Sequence, residues 1–228
     1  MNEAEISAGG YLPASFLDWD GQLSAVIFTA GCNFRCPWCH NGALVISGAE
    51  LLDIEKILAE IKRRAKFLDG VVVSGGEPTL QPGLYDLILR LRALVPAVKL
   101  DTNGSSPEIL KKLLSEKLVD FVAMDLKAPL NNESYSKLCG CVVETDKIKE
   151  SVALIKELAP AYEFRTTIVP GLTTEEELRL LRAELSDDSH WVLQPFRPEG
   201  CLDPEYLTKK AVDSEKLRKI FPEIKIRG

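Results

Sequence analysis

From residue 23 onward, short runs rich in β-branched residues alternate with longer stretches whose apolar residues recur at helical spacing. That alternation predicts a parallel sheet built from βα units. Strands are expected at 23–30, 70–74, 97–102, 119–126, 162–169 and 191–196. Between the first two, Asp53 suits an N-cap, and Ile54, Ile57, Leu58, Ile61 and Ala65 share one helical face, with Glu55, Lys62 and Arg63 elsewhere. Further amphipathic helices are expected at 82–94, 107–118, 146–158 and 174–185, where Pro82 and Pro107 suit a first turn that needs no N–H partner. A last helix within 205–220 and a short strand at 223–227 complete the pattern. Right-handed crossovers curl such units into a doubly wound sheet or a barrel, and six units are too few for a closed eight-stranded barrel. Residues 1–228 are expected to form one domain: a lead-in within 1–22, a βα core over 23–200, and a helix and short strand over 201–228. Tyr11, Phe16, Leu17 and Trp19, around Pro13 and Gly21, suggest that 10–21 forms a hairpin. Ligand sites of parallel sheets lie at the carboxyl ends of the strands.

With 46% hydrophobic and 27% charged residues, the 228-residue chain is ordinary globular material, which excludes a disordered or collagenous one. The 28 basic residues face 34 acidic ones, for a net charge of −6, and no polybasic run occurs, so neither nucleic acid nor an anionic membrane is expected as a partner. The start, MNEAEISAGG, has no basic stretch followed by an apolar one, and no apolar run approaches the roughly 20 residues that span a bilayer. A cytoplasmic location is expected. There the six cysteines stay thiols, and their spacing points to metal or catalysis before disulfides.

Directly after the first strand, Cys32, Cys36 and Cys39 form a C-x3-C-x2-C cluster in a strand-terminal loop. Two groups suit three thiolates so placed. One is a structural zinc ion with His40 as fourth ligand; the adjacency of Cys39 and His40 and the lack of a second ligand pair weigh against it. The other is a cubane iron–sulfur cluster with one iron left open for substrate. Ser74-Gly75-Gly76-Glu77-Pro78 ends the second strand, where two glycines let backbone carbonyls approach an ammonium group and Glu77 adds a charged acceptor. A simple turn is the plainer reading of GGEP in isolation. Asp101-Thr102-Asn103-Gly104 ends the third strand, Asp125-Leu126-Lys127 the fourth, and Arg165 lies on the fifth. Asp101 also suits an Asx-type turn, Asp125 a helix cap, Lys127 a solvated position, and Arg165 an ion pair with a nearby acid. Cys139, Cys141 and Cys201 have the spacing of ordinary cysteines, with a second cluster the less favoured reading, and His190 is expected to be structural.

The cysteine loop with Trp38 at its aromatic position, followed by GGEP one strand later, resembles the radical S-adenosylmethionine (SAM) superfamily. DTNG and DLK resemble the signatures of its glycyl-radical-enzyme activases, and the span from Gly9 to Asn41 resembles anaerobic ribonucleoside-triphosphate reductase activating proteins. The resemblance implies an α/β fold, a partial (β/α)6 TIM-like barrel. It implies one 4Fe-4S cluster on Cys32, Cys36 and Cys39, with SAM held among Trp38, Gly75, Gly76, Glu77, Asp101, Thr102, Asp125, Lys127 and Arg165. Asp101, Thr102 and Asp125 are the residues implied for a monovalent cation, and the SAM carboxylate is the anion implied for Arg165. The implied partners are a glycyl radical enzyme, an anaerobic ribonucleotide reductase, docking near Gln194 and Phe196, and a flavodoxin- or ferredoxin-like electron donor. Two alternatives stand beside this: a radical SAM enzyme acting on a small molecule, of the 7-carboxy-7-deazaguanine synthase type, and a zinc-stabilised binding module.

Overall fold

The structure is a computed structural model that describes residues 6–46, 50–186 and 188–227. The first five residues of the expected lead-in, and Gly228, lie outside the described residues. Eight strands form one sheet in chain order. They are β1 (Ala8–Ser15), β2 (Ser24–Thr29), β3 (Gly70–Gly75), β4 (Ala97–Thr102), β5 (Phe121–Asp125), β6 (Tyr162–Ile168), β7 (Trp191–Pro195) and β8 (Lys225–Ile226). The helices are α1 (Gly42–Val45), α2 (Ile54–Arg64), α3 (Leu84–Arg92), α4 (Pro107–Ser115), α5 (Asn132–Cys139), α6 (Thr145–Leu158), α7 (Glu175–Glu184) and α8 (Ser214–Ile220). Every neighbouring pair from β2 to β8 is parallel. The six expected strands are β2 to β7, and each contributes to the lining of one interior cavity, as the walls of a partial barrel do.

The lead-in differs from expectation. β1 pairs antiparallel with β2, Ser15 opposite Ser24 and Ala8 opposite Thr29, so the hairpin spans Ala8 to Thr29 and 10–21 holds only part of one arm and the turn. On the other edge, β8 adds to β7, and Asp20 in the hairpin turn pairs with Lys225 and Arg227 at 2.6 and 3.0 Å. These ion pairs join the two ends of the sheet. The helix expected within 205–220 is divided into a 3-10 turn at Pro204–Thr208 and α8, because Asp203 and Asp213 each accept a backbone N–H and start an element of their own.

The period of two along the strands positions the site. Val71, Val73, Val98, Leu100, Val122, Met124, Phe164 and Leu193 point outward into a single apolar core shared with the helices, to which α2 adds Ile57, Leu58 and Ile61. Burying each such side chain contributes about 2 kcal/mol. The alternate positions turn Ser74, Lys99, Asp101, Asp125, Glu163, Arg165 and Gln194 toward the barrel interior, which is therefore charged. Helix starts follow the sequence closely: the Asp53 carboxylate accepts from the N–H groups of Glu55 and Lys56, and Thr174 forms a capping box with Glu177. No helix among the described residues is long and apolar enough to cross a membrane.

Candidate active site

The cysteine loop leaves β2 and is anchored on three sides by main-chain hydrogen bonds. Gly76 and Glu77 donate to the carbonyls of Thr29 and Gly31 at 2.8 and 2.9 Å. Arg35 donates to the Cys139 carbonyl at 2.8 Å, and Leu202 and Asp203 donate to Cys39 and Pro37 at 3.0 and 2.9 Å. The two glycines of the GGE turn serve this packing. A Cβ on Gly76 would lie 1.9 Å from the Gly31 carbonyl oxygen, and Gly75 has φ +117°, a region that disfavours side chains.

Cys32, Cys36 and Cys39 all line a cavity of about 580 Å³, a volume suited to cofactor-sized ligands. Burial pushes the Cys32 thiol up to about 12 and that of Cys39 upward as well. Cys36 is held low, first by its hydrogen bond with Cys139, whose own thiol is correspondingly raised. Two of the three thiols thus lack the lowered pKa of a free cysteine nucleophile, whereas coordination deprotonates a thiol outright. Among the described residues no group of three or more His, Cys, Asp or Glu side chains forms a single-ion site. The donor set fits a cluster: three thiols from one loop face one cavity, and the buried Trp38 Nε1, without a partner, lies on the same wall.

Glu77 lines the same cavity and ties two of its turns together. Its carboxylate is 1% exposed and already accepts four hydrogen bonds: from the Thr79 N–H (3.1 Å) and hydroxyl (2.5 Å), the Thr102 hydroxyl (2.7 Å) and the Asn103 N–H (2.6 Å). Burial pushes this carboxyl up while those donors pull it down. Glu77 therefore clamps the GGE turn to the DTNG turn, and it also lines the cavity, where its Oε2 accepts only the Asn103 N–H. Glu77→Gln is expected to set an NH2 against one of these donors and to cost about 2 kcal/mol in urea unfolding. An unchanged midpoint and slope would contradict the clamp.

The Thr102 hydroxyl donates to Glu77 and accepts from the Gly104 N–H at 3.1 Å. Asp101 and Asp125 are bridged by Arg165. Asp125 and Arg165 are register partners on β5 and β6, with Nε 2.8 Å from Asp125 Oδ1 and Nη1 3.2 Å from Asp101 Oδ2. Lys99 Nζ lies 3.4 Å from Asp101, and Lys127 Nζ 3.0 Å from Asp125 and 5.0 Å from the centre of the Trp38 ring. Burial pushes the Asp125 carboxyl up, but the charges of Arg165 and Lys127 outweigh it and hold the group well below the usual carboxylate range. Asp101 accepts from the Ser74 hydroxyl at 3.0 Å, and its Oδ1 has no hydrogen bond. The Asx-type turn belongs to Asn103, whose Oδ1 accepts from the Ser105 N–H at 2.9 Å.

The remaining cysteines pack around the same loop. Cys139 is buried beside Cys36, Cys141 Sγ lies 3.5 Å from the Asn33 carbonyl, and Cys201 Sγ 3.5 Å from that of Trp38. Gln194 and Phe196 both line the cavity, Phe196 with the Tyr206 ring packed edge-on against it. His40 lines the cavity, and His190 is exposed and bonded to Asp188 at 2.9 Å.

Residues 26–183 match the radical SAM superfamily. The chain belongs to that superfamily. As a member it is an enzyme that uses SAM for radical chemistry, and the family implies an iron–sulfur cluster. It is 32% identical over 219 residues to a candidate glycyl-radical enzyme activating enzyme of Methanocaldococcus jannaschii, covering 92% of this chain and 88% of that one. It is 26% identical over 222 residues to the pyruvate formate-lyase-activating enzyme of Clostridium pasteurianum, covering 89% of this chain and 90% of the relative. A 7-carboxy-7-deazaguanine synthase of Methanopyrus kandleri is 32% identical over 178 residues, 67% of this chain and 69% of its own length. Among solved structures, Streptococcus suis SuiB bound to SAM superposes with a TM-score of 0.64 at 19% identity, which bears on the fold alone. The superposition covers 89% of this radical SAM chain but only 49% of SuiB, so the chain spans about half that protein's length.

Proposed function

We propose that this radical SAM enzyme activates a glycyl radical enzyme, and that its partner is an anaerobic ribonucleotide reductase. The observation that carries the proposal is the form of the cavity. Its lining runs from the three cysteines past Gln194 to Phe16 and Leu17 in the hairpin turn, 70% and 83% exposed, so a peptide segment can reach it from outside. The relative from M. jannaschii, matched along most of both chains, supports the same class. Cys32, Cys36 and Cys39 would hold the 4Fe-4S cluster, and Trp38, Gly75, Gly76, Glu77, Asp101, Thr102, Asp125, Lys127 and Arg165 would surround SAM. When bound, these groups supply reductive cleavage of the sulfonium and a hydrogen-abstracting species.

The chain's own residues shape that space. Phe28, Phe34 and Trp38 give the cavity an apolar wall that excludes water. Lys127, fixed by Asp125 beside the Trp38 ring, places a cation where a carboxylate would bind. Arg165 supplies the counter-charge of Asp101 and Asp125, the task otherwise assigned to a monovalent cation. A flavodoxin- or ferredoxin-like protein would supply electrons.

Mixing the reduced enzyme and SAM with the partner reductase is expected to accelerate SAM cleavage and to produce a glycyl EPR doublet that changes when the partner glycine is deuterated. Partner glycine→Ala should remove the doublet and leave cluster and SAM binding intact. Rapid turnover of a small metabolite with no protein partner would instead favour the second reading, which the 7-carboxy-7-deazaguanine synthase relative keeps in view.

A further inference from the structure

Asn103 follows β4 and has no titratable group to draw attention to it, yet it is 6% exposed and joins three parts of the site. Its main-chain N–H donates to Glu77 Oε2 at 2.6 Å, and its side-chain Oδ1 accepts from the Ser105 N–H at 2.9 Å. That second bond fixes the orientation of the amide, because a backbone N–H can face only the carbonyl oxygen. The NH2 group must then point the other way. There Nδ2 donates to Asn33 Oδ1 at 2.9 Å and lies 3.8 Å from Cys32 Sγ. Cys32 Sγ also accepts from the Phe34 N–H at 3.3 Å, so the first cysteine of the loop meets donors from two different strand ends.

We propose that Asn103 is a positioning residue for the first cluster ligand, its amide N–H directed at Cys32 Sγ so that the cluster's reduced form is favoured. This inference rests on the cluster assignment above and deepens it. Reduction adds a negative charge that is shared with the ligating sulfurs, and an N–H dipole aimed at one of them stabilises the more negative form more strongly. The donor is held from both sides, by Glu77 on its main chain and by Ser105 and Asn33 on its side chain, so it cannot swing away when the charge changes. The GGE glutamate thereby acts on the cysteine loop through Asn103 without touching a sulfur.

The test is a redox titration of reconstituted protein, with iron and sulfide counted in each sample. Asn103→Leu keeps the size and removes the donor; Asn103→Asp keeps the acceptor for Ser105 and removes the donor. In a variant that retains its iron, the reduced-to-oxidised ratio at a fixed applied potential should fall about tenfold, a downward shift of about 59 mV for one electron. The reduced cluster should also lose one exchangeable-proton coupling in its electron–nuclear double-resonance spectrum. An unchanged potential, a shift with that coupling retained, or loss of iron from both variants would overturn the assignment and leave Asn103 as scaffold. Failure of the wild-type protein to bind iron and sulfide is a different result, and it would remove the cluster reading itself.

Discussion

Replacing any one of Cys32, Cys36 or Cys39 by Ala is expected to take bound iron from about four per chain to near zero and to abolish SAM cleavage. A cubane held by two thiolates is no longer secured, and no further thiol is carried by the same loop. The chain should nevertheless stay folded. The loop's anchors are main-chain bonds from Gly76, Glu77, Arg35, Leu202 and Asp203, none of which uses a cysteine side chain. The change should therefore appear in iron and sulfide analysis while circular dichroism remains that of the wild type. Removing Cys139, Cys141 and Cys201 together should leave iron per folded chain at about four, whereas a fall from about eight to four would reveal a second cluster. Full iron in a single variant of Cys32, Cys36 or Cys39 would contradict the ligand set, and one zinc without sulfide in the wild type would sink the cluster.

Much of this site was legible because its residues mark strand ends. β4 spans Ala97–Thr102, as the pattern predicts, and each of the motifs after β2, β3, β4 and β5 falls on the cavity wall. What local patterns could not convey was which partner each side chain finds. Glu77 lines the cavity where its motif suggests, but no local pattern shows that Thr79, Thr102 and Asn103 also donate to it, the last two from the end of a strand about 25 residues away. Asn103 has neither charge nor metal affinity to single it out, and its contacts with Cys32 and Asn33 span about seventy residues of chain. α5 carries little helical signal in the sequence because NESYSKLC has a weak apolar stripe, in which Tyr135, Leu138 and Cys139 are the buried residues. Its ends were nonetheless signalled, by Asn131, which caps Ser134, and by Gly140 with φ 63°. The lead-in is a related case: Pro13 and Gly21 mark a turn, but only tertiary pairing reveals that the second arm is the first barrel strand.

Arg165→Met is expected to destabilise the fold by about 3 to 5 kcal/mol at neutral pH and to abolish SAM binding. The side chain is 12% exposed and stands between two carboxylates, so its removal leaves Asp101 and Asp125 near one another with their shared counter-charge gone. Lys99 and Lys127 remain as partial compensation, which keeps the loss below outright unfolding. Arg165→Lys should fall between the two, because an ammonium keeps the charge but cannot span both acids as the guanidinium fork does. The pH dependence follows from the sign of the Asp125 shift. Its folded value lies below its unfolded one, so its contribution is present above about pH 4 and is lost as the pH falls through the folded value. In Arg165→Met the carboxyl is buried with less compensation and its value rises, so protonation relieves the variant. The gap in unfolding free energy between wild type and variant should therefore be widest near pH 7 and narrow toward pH 4, measured by urea denaturation at each pH. Adding Asp125→Asn to Arg165→Met should recover part of the loss, since it removes one unpaired acid, and the double-mutant cycle should show strong coupling. Additive effects, or a gap that widens in acid, would show that Arg165 acts by packing and that the two acids are balanced elsewhere.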